Sequence, residues 1–442
     1  MAYLSIIGIV LSILLIIFLS LKGVNVLISA PIATILVLLL NGEDIFLNLL
    51  GKNQSFMVYL ADFMVDFFMI FLLGSIMAKY LERSGGIQSI TTAVATKIKE
   101  NDPFQGMLVV YLVTALLTYG GISLFVVVFA VVPLAKSLFE RLNIPWKLVP
   151  LPISLGLGTF TAGLLPGSPS IVNVIPTEYL GTTLTAAPLL GLLASIVSIF
   201  VSVIFIRYVV GKEITNSNEE SSIPFVPDNE MFDHQHTNQP SIITSIFPIL
   251  LLIMLILVGS ALNIQNILIL SLVIVIFTEA VIFNAYIPSH IDILNEGATN
   301  SILPLMNTAA TIAFGQIISN LKAFKPISDG VMNISKNKWI GLTLLTIIFS
   351  IITGSASGAV GIVTKAQGIE LFGLGYPADL IHRITTAASV VFTNAPHSGV
   401  VLTLFTLTKL THKESFKYLY LGTVLSGLAA LMTILVIASV LY

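Results

Sequence analysis

The segment Thr161-Ala-Gly-Leu-Leu-Pro-Gly-Ser-Pro-Ser-Ile-Val-Asn173 places polar and helix-breaking residues inside an apolar stretch of the chain. A second segment, Thr393-Asn-Ala-Pro-His-Ser-Gly399, occupies the matching place in the other half. Proline and glycine free backbone groups from a helix, and lipid cannot hydrogen-bond them, so such a break must face protein or a water-filled cavity. We call these segments the first break (161–173) and the second break (393–399). Paired breaks predict a transport site.

The composition around the breaks is that of a multi-pass membrane protein. Of 442 residues, 56% are hydrophobic and 10% are charged, and the mean hydropathy is +1.00. Uncharged stretches of about 20 residues, long enough to cross a bilayer, recur along the chain. The charges lie in short clusters and form no basic face, which excludes a nucleic-acid partner. The chain has no cysteine, which excludes disulfides, thiolate metal sites and a cysteine nucleophile.

We predict an all-α polytopic fold built from two inverted repeats, each with about five to six spans, re-entrant hairpins and broken helices. A polar segment at 207–240 separates an N-terminal membrane repeat (1–206) from a C-terminal one (241–442). Four pairs of glycine or proline recur at a spacing of about 230 residues: Gly120 and Gly354, Pro145 and Pro377, Pro166 and Pro396, and Gly191 and Gly422. The alternative is chance, because the chain contains 31 glycines and 19 prolines.

Hydroxyl and amide side chains at the breaks are the candidate substrate ligands, because they can donate to a carboxylate or bind a hydroxyl group. The set also includes serines of two glycine-rich turns, 119–123 and 353–361. The candidates are Ser123, Thr161, Ser168, Ser170, Asn173, Ser355, Ser357, Thr393, Asn394 and Ser398. A helix that restarts after a break adds free N–H groups that favour an anion. The alternative is that small polar residues only let helices pack closely.

Three ionisable residues are candidates for ion coupling. His397 lies inside the second break, and an ordinary histidine has a pKa of about 6.5. It can carry a proton, or it can only bond the substrate or a backbone carbonyl. Asp62 and Asp66 are four positions apart and share one helical face, so they can relay a proton or hold a cation. The alternative for this pair is a wet position at the membrane interface.

The sequence contains none of the common catalytic motifs. It has no phosphate-binding Gly-x-x-x-x-Gly-Lys loop, no Gly-x-Ser-x-Gly elbow and no His-Glu-x-x-His pair. We therefore expect no enzymatic activity, no cofactor and no metal site.

Several motifs in order resemble the gluconate permease (gluconate:proton symporter) family. They are the run 71–87, Pro-Gly-Ser-Pro-Ser at 166–170, Gly-Ser-Ala-Ser-Gly at 354–358, Asn-Ala-Pro-His-Ser-Gly-Val-Val-Leu at 394–402 and Leu-Thr-His-Lys-Glu-Ser at 410–415. The resemblance covers nearly the whole chain. It implies two inverted repeats, a homodimer in the cytoplasmic membrane, and proton-driven uptake of a small organic hydroxy acid.

The breaks depart from the gluconate-transporting members of that family. Leu165-Pro-Gly-Ser-Pro-Ser170 stands where those members resemble Pro-Pro-His-Pro-Gly-Pro, and Asn394-Ala-Pro-His397 stands where they resemble Asn-Asp-Pro-Gly. The second break is similar to the branch described as D-beta-hydroxybutyrate permeases, which implies a shorter acid such as 3-hydroxybutyrate. Sodium coupling, a passive organic-anion channel and a membrane-embedded enzyme or assembly subunit are the alternative functions.

Overall fold

Helix boundaries along the chain follow the capping residues that flank its apolar runs. Ser55 and Ser241 each accept the backbone N–H of the residue three positions on, Val58 and Thr244, at the start of a long apolar helix. Gly42 ends another helix in the left-handed conformation, with a φ of 69°. Local sequence therefore sets where these helices start and stop.

The computed structural model describes residues 2–95, 102–122, 124–216, 239–262, 264–334, 337–396 and 398–441, and in these ranges it is helical without any strand. The first half contains α1 (Ala2–Leu21), α2 (Val26–Asn41), α3 (Ile45–Leu50), α4 (Phe56–Arg83), α5 (Gly86–Ala95), α6 (Pro103–Tyr119), α7 (Leu124–Arg141), α8 (Pro150–Gly158), α9 (Phe160–Gly163), α10 (Ile171–Leu180) and α11 (Pro188–Asn216). The second half contains α12 (Ile242–Ala261), α13 (Ile267–Ile282), α14 (His290–Asn320), α15 (Phe324–Met332), α16 (Lys338–Thr353), α17 (Ala356–Val363), α18 (Ile369–Gly373), α19 (Ala378–Val391), α20 (Gly399–Thr408) and α21 (Lys417–Leu441). A short 3-10 turn at Trp146–Leu148 precedes α8, and π-helical turns at Thr364–Gly368 and His412–Phe416 precede α18 and α21.

Among the described residues, five helical segments are long and apolar enough to cross a membrane: Phe56–Arg83, Pro188–Glu213, Ile242–Ala261, His290–Asn320 and His412–Val440. Their outward faces carry large apolar side chains, such as Phe200, which is 65% exposed, and Ile243, which is 80% exposed. Lipid tails suit such surfaces and water does not. The predicted all-α, multi-pass membrane class is confirmed, whereas the repeat relation between the halves stays a prediction.

The helices are interrupted where glycine, proline and polar residues cluster in the sequence. The interruptions lie between α6 and α7, between α9 and α10, between α16 and α17, and between α19 and α20. Gly167 has a φ of 79° and Gly354 a φ of 58°, values that a side chain would strain. The local sequence therefore determines where each interruption lies.

The helices form two packed groups. Helices α4 and α14 pack along each other, and α2 and α13 join them; we call these four the support helices. A second group brings α6, α8, α11, α16, α19 and α21 together. The middle of this group is the most buried part of the protein, since every residue of α8 from Pro150 to Leu157 and of α19 from Leu380 to Val391 is buried. Both breaks adjoin these two helices.

The predicted polar linker at 207–240 begins inside a helix. Helix α11 continues to Asn216, and its end is held by Glu213, which pairs with Lys147 at 2.6 Å and accepts a hydrogen bond from Tyr418 at 2.7 Å. These contacts join the end of α11 to both halves of the chain. Residues 217–238 of the predicted linker lie outside the described residues.

Candidate functional site

The first break folds so that its own side chains satisfy the backbone groups freed from the helix. Ser168 Oγ donates to the Thr161 carbonyl at 2.8 Å, and Asn173 Nδ2 donates to the carbonyls of Ser168 and Leu184, both at 2.9 Å. Thr161 Oγ1 donates to the carbonyl of Gly156 at 2.7 Å. Thr161, Ser168 and Asn173 are fully buried. Three predicted substrate ligands thus hold the shape of the break.

Ser170 has a different environment from these three residues. It precedes α10 at the N-cap position, is only half-buried, and its hydroxyl makes no capping bond to the helix. The first-turn N–H groups of α10 and the Ser170 hydroxyl therefore face the same end of the helix, where an anion is favoured.

Two consecutive residues of α19 close the first break from the other half of the chain. The Arg383 guanidinium is fully buried and donates to the carbonyls of Gly163, Leu164 and Ala186, with Nε 3.1 Å from the Ala186 oxygen. His382 is also fully buried. Its Nε2 lies 3.0 Å from Asn173 Oδ1, and its Nδ1 lies 2.7 Å from the hydroxyl of Thr182.

Arg383 forms no ion pair with any acidic side chain in the described part of the chain. A buried cation that forms no ion pair is costly, and here three carbonyl dipoles and the charge of Asp379, one turn earlier on α19, offset part of that cost. Since these carbonyls belong to the first break and its flank, Arg383 fixes the break and leaves a positive charge beside it.

The second break separates α19 from α20 and carries an unsatisfied amide. Asn394 is 4% exposed, and its Nδ2 has no hydrogen-bond partner among the described residues. Ser398 is 2% exposed, occupies the N-cap position of α20 and makes no capping bond, and Thr393 is half-buried. His397, the predicted proton site, lies outside the described residues.

The residues that lead into the first break run antiparallel to α19 and the start of the second break. A Cβ built on Gly158, at the end of α8, would lie 3.3 Å from Asn394 Nδ2, and a Cβ on Gly163 would lie 3.2 Å from Thr386 Cβ. From Gly158 to Gly163 the chain advances toward the first break, while the residues that face it go back from Asn394 to Thr386. The unpartnered amide of Asn394 therefore points at the place where the two breaks meet.

The first glycine-rich turn meets the first break. Tyr119 donates from its hydroxyl to the Pro166 carbonyl at 2.8 Å, and a Cβ on Gly121 would lie 3.2 Å from the Pro169 ring. Ser123, the predicted ligand in this turn, lies outside the described residues.

The second glycine-rich turn lies against a support helix. Ser355 caps α17 by accepting the Gly358 N–H at 3.2 Å, and its hydroxyl lies 3.1 Å from that of Ser357. A Cβ on Gly358 would lie 2.7 Å from Thr311 Cγ2 on α14, so this glycine allows the close approach of the two helices.

The predicted aspartates form a separate charged cluster. Asp62 Oδ2 lies 3.9 Å from Lys365 Nζ, and the Lys365 ammonium lies over the rings of Tyr59 and Tyr179 at 5.4 and 5.7 Å. Asp66 is half-buried one turn further along α4. Tyr179 is at the far end of α10 from its first turn, about 13 Å away at the helical rise. The cluster therefore joins α4, α10 and the π-helical turn away from the breaks.

Sequence reasoning did not place His382 and Arg383 at the site. Their partners lie about 200 positions away, and no local pattern reports such contacts. Lys365 was missed because a single lysine near a helix end is ordinary. Within the described ranges, no group of histidine, aspartate and glutamate could hold a metal ion.

In sequence, the chain is similar to known transporters over most of its length. The model of the family described as GntP family permease matches residues 4–441. The uncharacterized transporter YxjC of Bacillus subtilis (strain 168) is 30% identical, over 96% of this chain and 97% of that protein. An uncharacterized transporter of Haemophilus influenzae (strain ATCC 51907 / DSM 11121 / KW20 / Rd) is 22% identical, over 90% of each chain.

Two solved structures align with most of this chain at low sequence identity. The YdaH transporter of Alcanivorax borkumensis is 14% identical with a TM-score of 0.49, and the comparison covers 89% of each chain. MtrF of Neisseria gonorrhoeae gives the same identity and TM-score, over 89% of this chain and 85% of MtrF.

Proposed function

This chain belongs to the GntP family of permeases, and from that premise we propose that it is a proton-coupled symporter of a small organic hydroxycarboxylate. Gluconate and 3-hydroxybutyrate are the representative substrates, and the membrane is the cytoplasmic membrane. The family match bears out the resemblance found in the sequence motifs and identifies the protein as a membrane transporter.

The observation that carries the proposed substrate site is the unpartnered amide of Asn394. A buried N–H donor without an acceptor costs about 1–3 kcal/mol. Asn394 Nδ2 is buried, has no partner among the described residues, and faces Gly158 where the two breaks meet. A carboxylate at this place would supply the missing acceptor, and a hydrogen bond to a charged group is worth about 1.5–3 kcal/mol.

Two helix starts complete the proposed anion site. Helix α10 begins after Ser170 and α20 after Ser398, and neither serine hydroxyl is used to cap its helix. Both helices offer first-turn N–H groups and the positive end of the helix dipole. We propose that Ser170, Thr393, Asn394 and Ser398 contact the substrate, while Thr161, Ser168 and Asn173 keep the first break in shape.

The positive charge of Arg383 supports an anion as the substrate. Arg383 forms no ion pair in the described part of the chain, and charges act over longer distances in a medium of low dielectric constant. An anion that enters with a proton also avoids bringing a net charge into the membrane. In this proposal the proton binds at or near His397.

The antiparallel course of α19 and the residues that lead into the first break supports the two inverted repeats that the sequence predicts. An inverted repeat brings equivalent segments together in opposite directions, as Gly158 with Asn394 and Gly163 with Thr386 are found. In the proposed cycle, the break-containing helices move against the support helices in a homodimer, and this movement exposes the site to either side.

The first experiment identifies the substrate by thermal stabilisation of the purified protein. A ligand that binds only the folded state raises the unfolding temperature by mass action. The panel is gluconate, 3-hydroxybutyrate, lactate, glycerate, serine and citrate. We expect one hydroxy acid to stabilise the wild-type protein and to lose that effect in Asn394→Ala.

The second experiment measures uptake of that acid into proteoliposomes with an imposed proton gradient. We expect accumulation above the external concentration in the wild type and at least about tenfold weaker uptake in Asn394→Ala, since one charge-assisted hydrogen bond is lost. Asn41→Ala is the matched control, because the Asn41 amide bonds only its own helix, at the Val37 carbonyl. Normal uptake by Asn394→Ala would reject the site.

The same liposomes test the alternative mechanisms. Uptake that follows a sodium gradient at constant pH would replace protons by sodium as the coupling ion. Uptake that never exceeds the external concentration would make the protein a passive organic-anion channel.

A further inference from the structure

Glu279 is a buried acid outside the two breaks. It lies near the end of α13, is 0% exposed, and neither carboxyl oxygen has a hydrogen-bond partner among the described residues. An ionised carboxylate in such a place would cost several kcal/mol, because no donor or cation among the described residues compensates the charge. The neutral acid is the form that this environment accepts.

The helices packed against α13 provide one ionisable neighbour for Glu279. Helix α12 (Ile242–Ala261) contains no ionisable residue. Helix α4 packs against α13, and its Tyr80 lies within electrostatic reach of the Glu279 carboxyl. In the same part of α4, Lys79 and Arg83 both pair with Glu296 of α14.

The other ionisable residues of α4 are turned toward different partners or lie far away. Glu82 pairs with Lys79 at 2.9 Å. Asp62 and Asp66 are at least 14 positions before Tyr80, which corresponds to about 21 Å along the helix. Tyr80 is therefore the ionisable group of α4 within electrostatic reach of Glu279.

A chain of side-chain hydrogen bonds connects Tyr80 to the surface. The Tyr80 hydroxyl is 3.0 Å from His290 Nδ1, and His290 Nε2 is 3.0 Å from Asn284 Oδ1. Tyr80 is buried, His290 is half-buried and Asn284 is exposed. Because an amide oxygen only accepts, Nε2 carries the histidine proton, and Nδ1 accepts from Tyr80.

We propose that Glu279 is a proton-binding site that exchanges with solvent through His290 and Tyr80. In loading, solvent gives a proton to His290, His290 gives one to Tyr80, and Tyr80 gives its hydroxyl proton to the Glu279 carboxylate. The net change is one proton taken from solvent and one carboxylate converted to a carboxylic acid, with His290 and Tyr80 restored.

Infrared spectroscopy of the full-length protein in lipid nanodiscs tests the site without a transport assay. At pH 7 we expect a protonated-carboxyl band in the wild type that is absent in Glu279→Gln, which keeps the shape of the side chain. Glu296→Gln is the matched control, because Glu296 is paired with Arg83 and contributes no such band. A band that survives in Glu279→Gln, or no band in the wild type, would show that Glu279 is not the protonated acid.

The pathway is tested by transfer of the same samples into heavy water. The Glu279 band shifts when deuterium replaces the proton, and its rate reports access to the site. We expect Tyr80→Phe and His290→Gln each to slow this shift at least about tenfold, since each removes one proton-transfer step. Tyr286→Phe, in the loop before α14, is expected to leave the rate unchanged. Equal rates in all variants would reject the route through His290 and Tyr80, whatever the outcome of the substrate experiments.

Discussion

Asn394 and Gly158 face each other across the junction of the two breaks, and a Cβ on Gly158 would lie 3.3 Å from Asn394 Nδ2. The two residues are far apart in sequence and belong to different halves of the chain. Gly158 presents no side chain to the unpartnered amide, and a methyl group added there would crowd this donor.

Filling the space beside Asn394 should weaken substrate binding without unfolding the protein. In Gly158→Ala the new methyl group crowds Asn394 Nδ2 at a distance shorter than ordinary contact, and overpacking of this kind costs about 1–3 kcal/mol. We expect the KM for the substrate found in the stabilisation panel to rise about tenfold. Uptake kinetics in proteoliposomes measure this change.

Gly74→Ala is the matched control for Gly158→Ala. Gly74 lies in α4, and a Cβ there meets nothing within 4 Å. Since alanine favours a helix by about 1 kcal/mol over glycine, this variant should be as stable as the wild type or more stable, with an unchanged KM. An unchanged KM in Gly158→Ala as well would mean that substrate does not occupy the space beside Asn394.

Removing the Arg383 guanidinium should destabilise the first break. Arg383→Met leaves the carbonyls of Gly163, Leu164 and Ala186 without their donor in a fully buried place. Each orphaned acceptor costs about 1–3 kcal/mol, so we expect a total loss of at least about 3 kcal/mol. Arg383→Lys should be intermediate, because an ammonium keeps the charge and lacks the planar fork. Thermal unfolding in detergent orders the three proteins.

Arg83→Met is the control, because it measures the loss of stability when an arginine outside the site is removed. Arg83 pairs with Glu296, its side chain is 39% exposed, and such pairs contribute about 0–1 kcal/mol. It should therefore unfold close to the wild-type temperature. If Arg383→Met also did so, the carbonyls of the first break would have other partners, and the structural role of Arg383 would be wrong.

The sequence predicted the breaks well, and their contacts poorly, for a physical reason. Proline and glycine act on their own backbone, so the interruptions near Pro166 and Gly354 follow from local residues. Whether a hydroxyl points into a cavity or back to the chain depends on the packed structure. Ser168 and Asn173 looked like free donors in the sequence, and the fold uses both for backbone carbonyls.

Long-range partners were also beyond reach of the sequence. Arg383 bonds to Gly163 and Ala186 across the two halves of the chain, a contact that requires the close approach of α19 to the first break. The end of α11 is another example, since Glu213 is held by Lys147 and Tyr418 and the helix therefore continues into the polar segment. From composition alone, the linker was predicted to begin at residue 207, inside what is a helix in the structure.

Reversal of both charges in the Asp62 and Lys365 pair should restore the uptake rate that each single reversal lowers. Asp62 lies on α4 and Lys365 on the π-helical turn, 3.9 Å apart, so each single reversal places like charges together between a support helix and this turn. The side chains are 50% and 29% exposed, which limits the coupling to about 1 kcal/mol, or about a fivefold change in uptake rate. We expect Asp62→Lys and Lys365→Asp each to slow uptake and the double variant to recover. Glu43→Lys combined with Lys365→Asp is the control, because Glu43 lies before α3 and forms no ion pair among the described residues, and it should give no recovery. A double reversal no faster than the single variants would show that the pair does not hold the two elements together during transport.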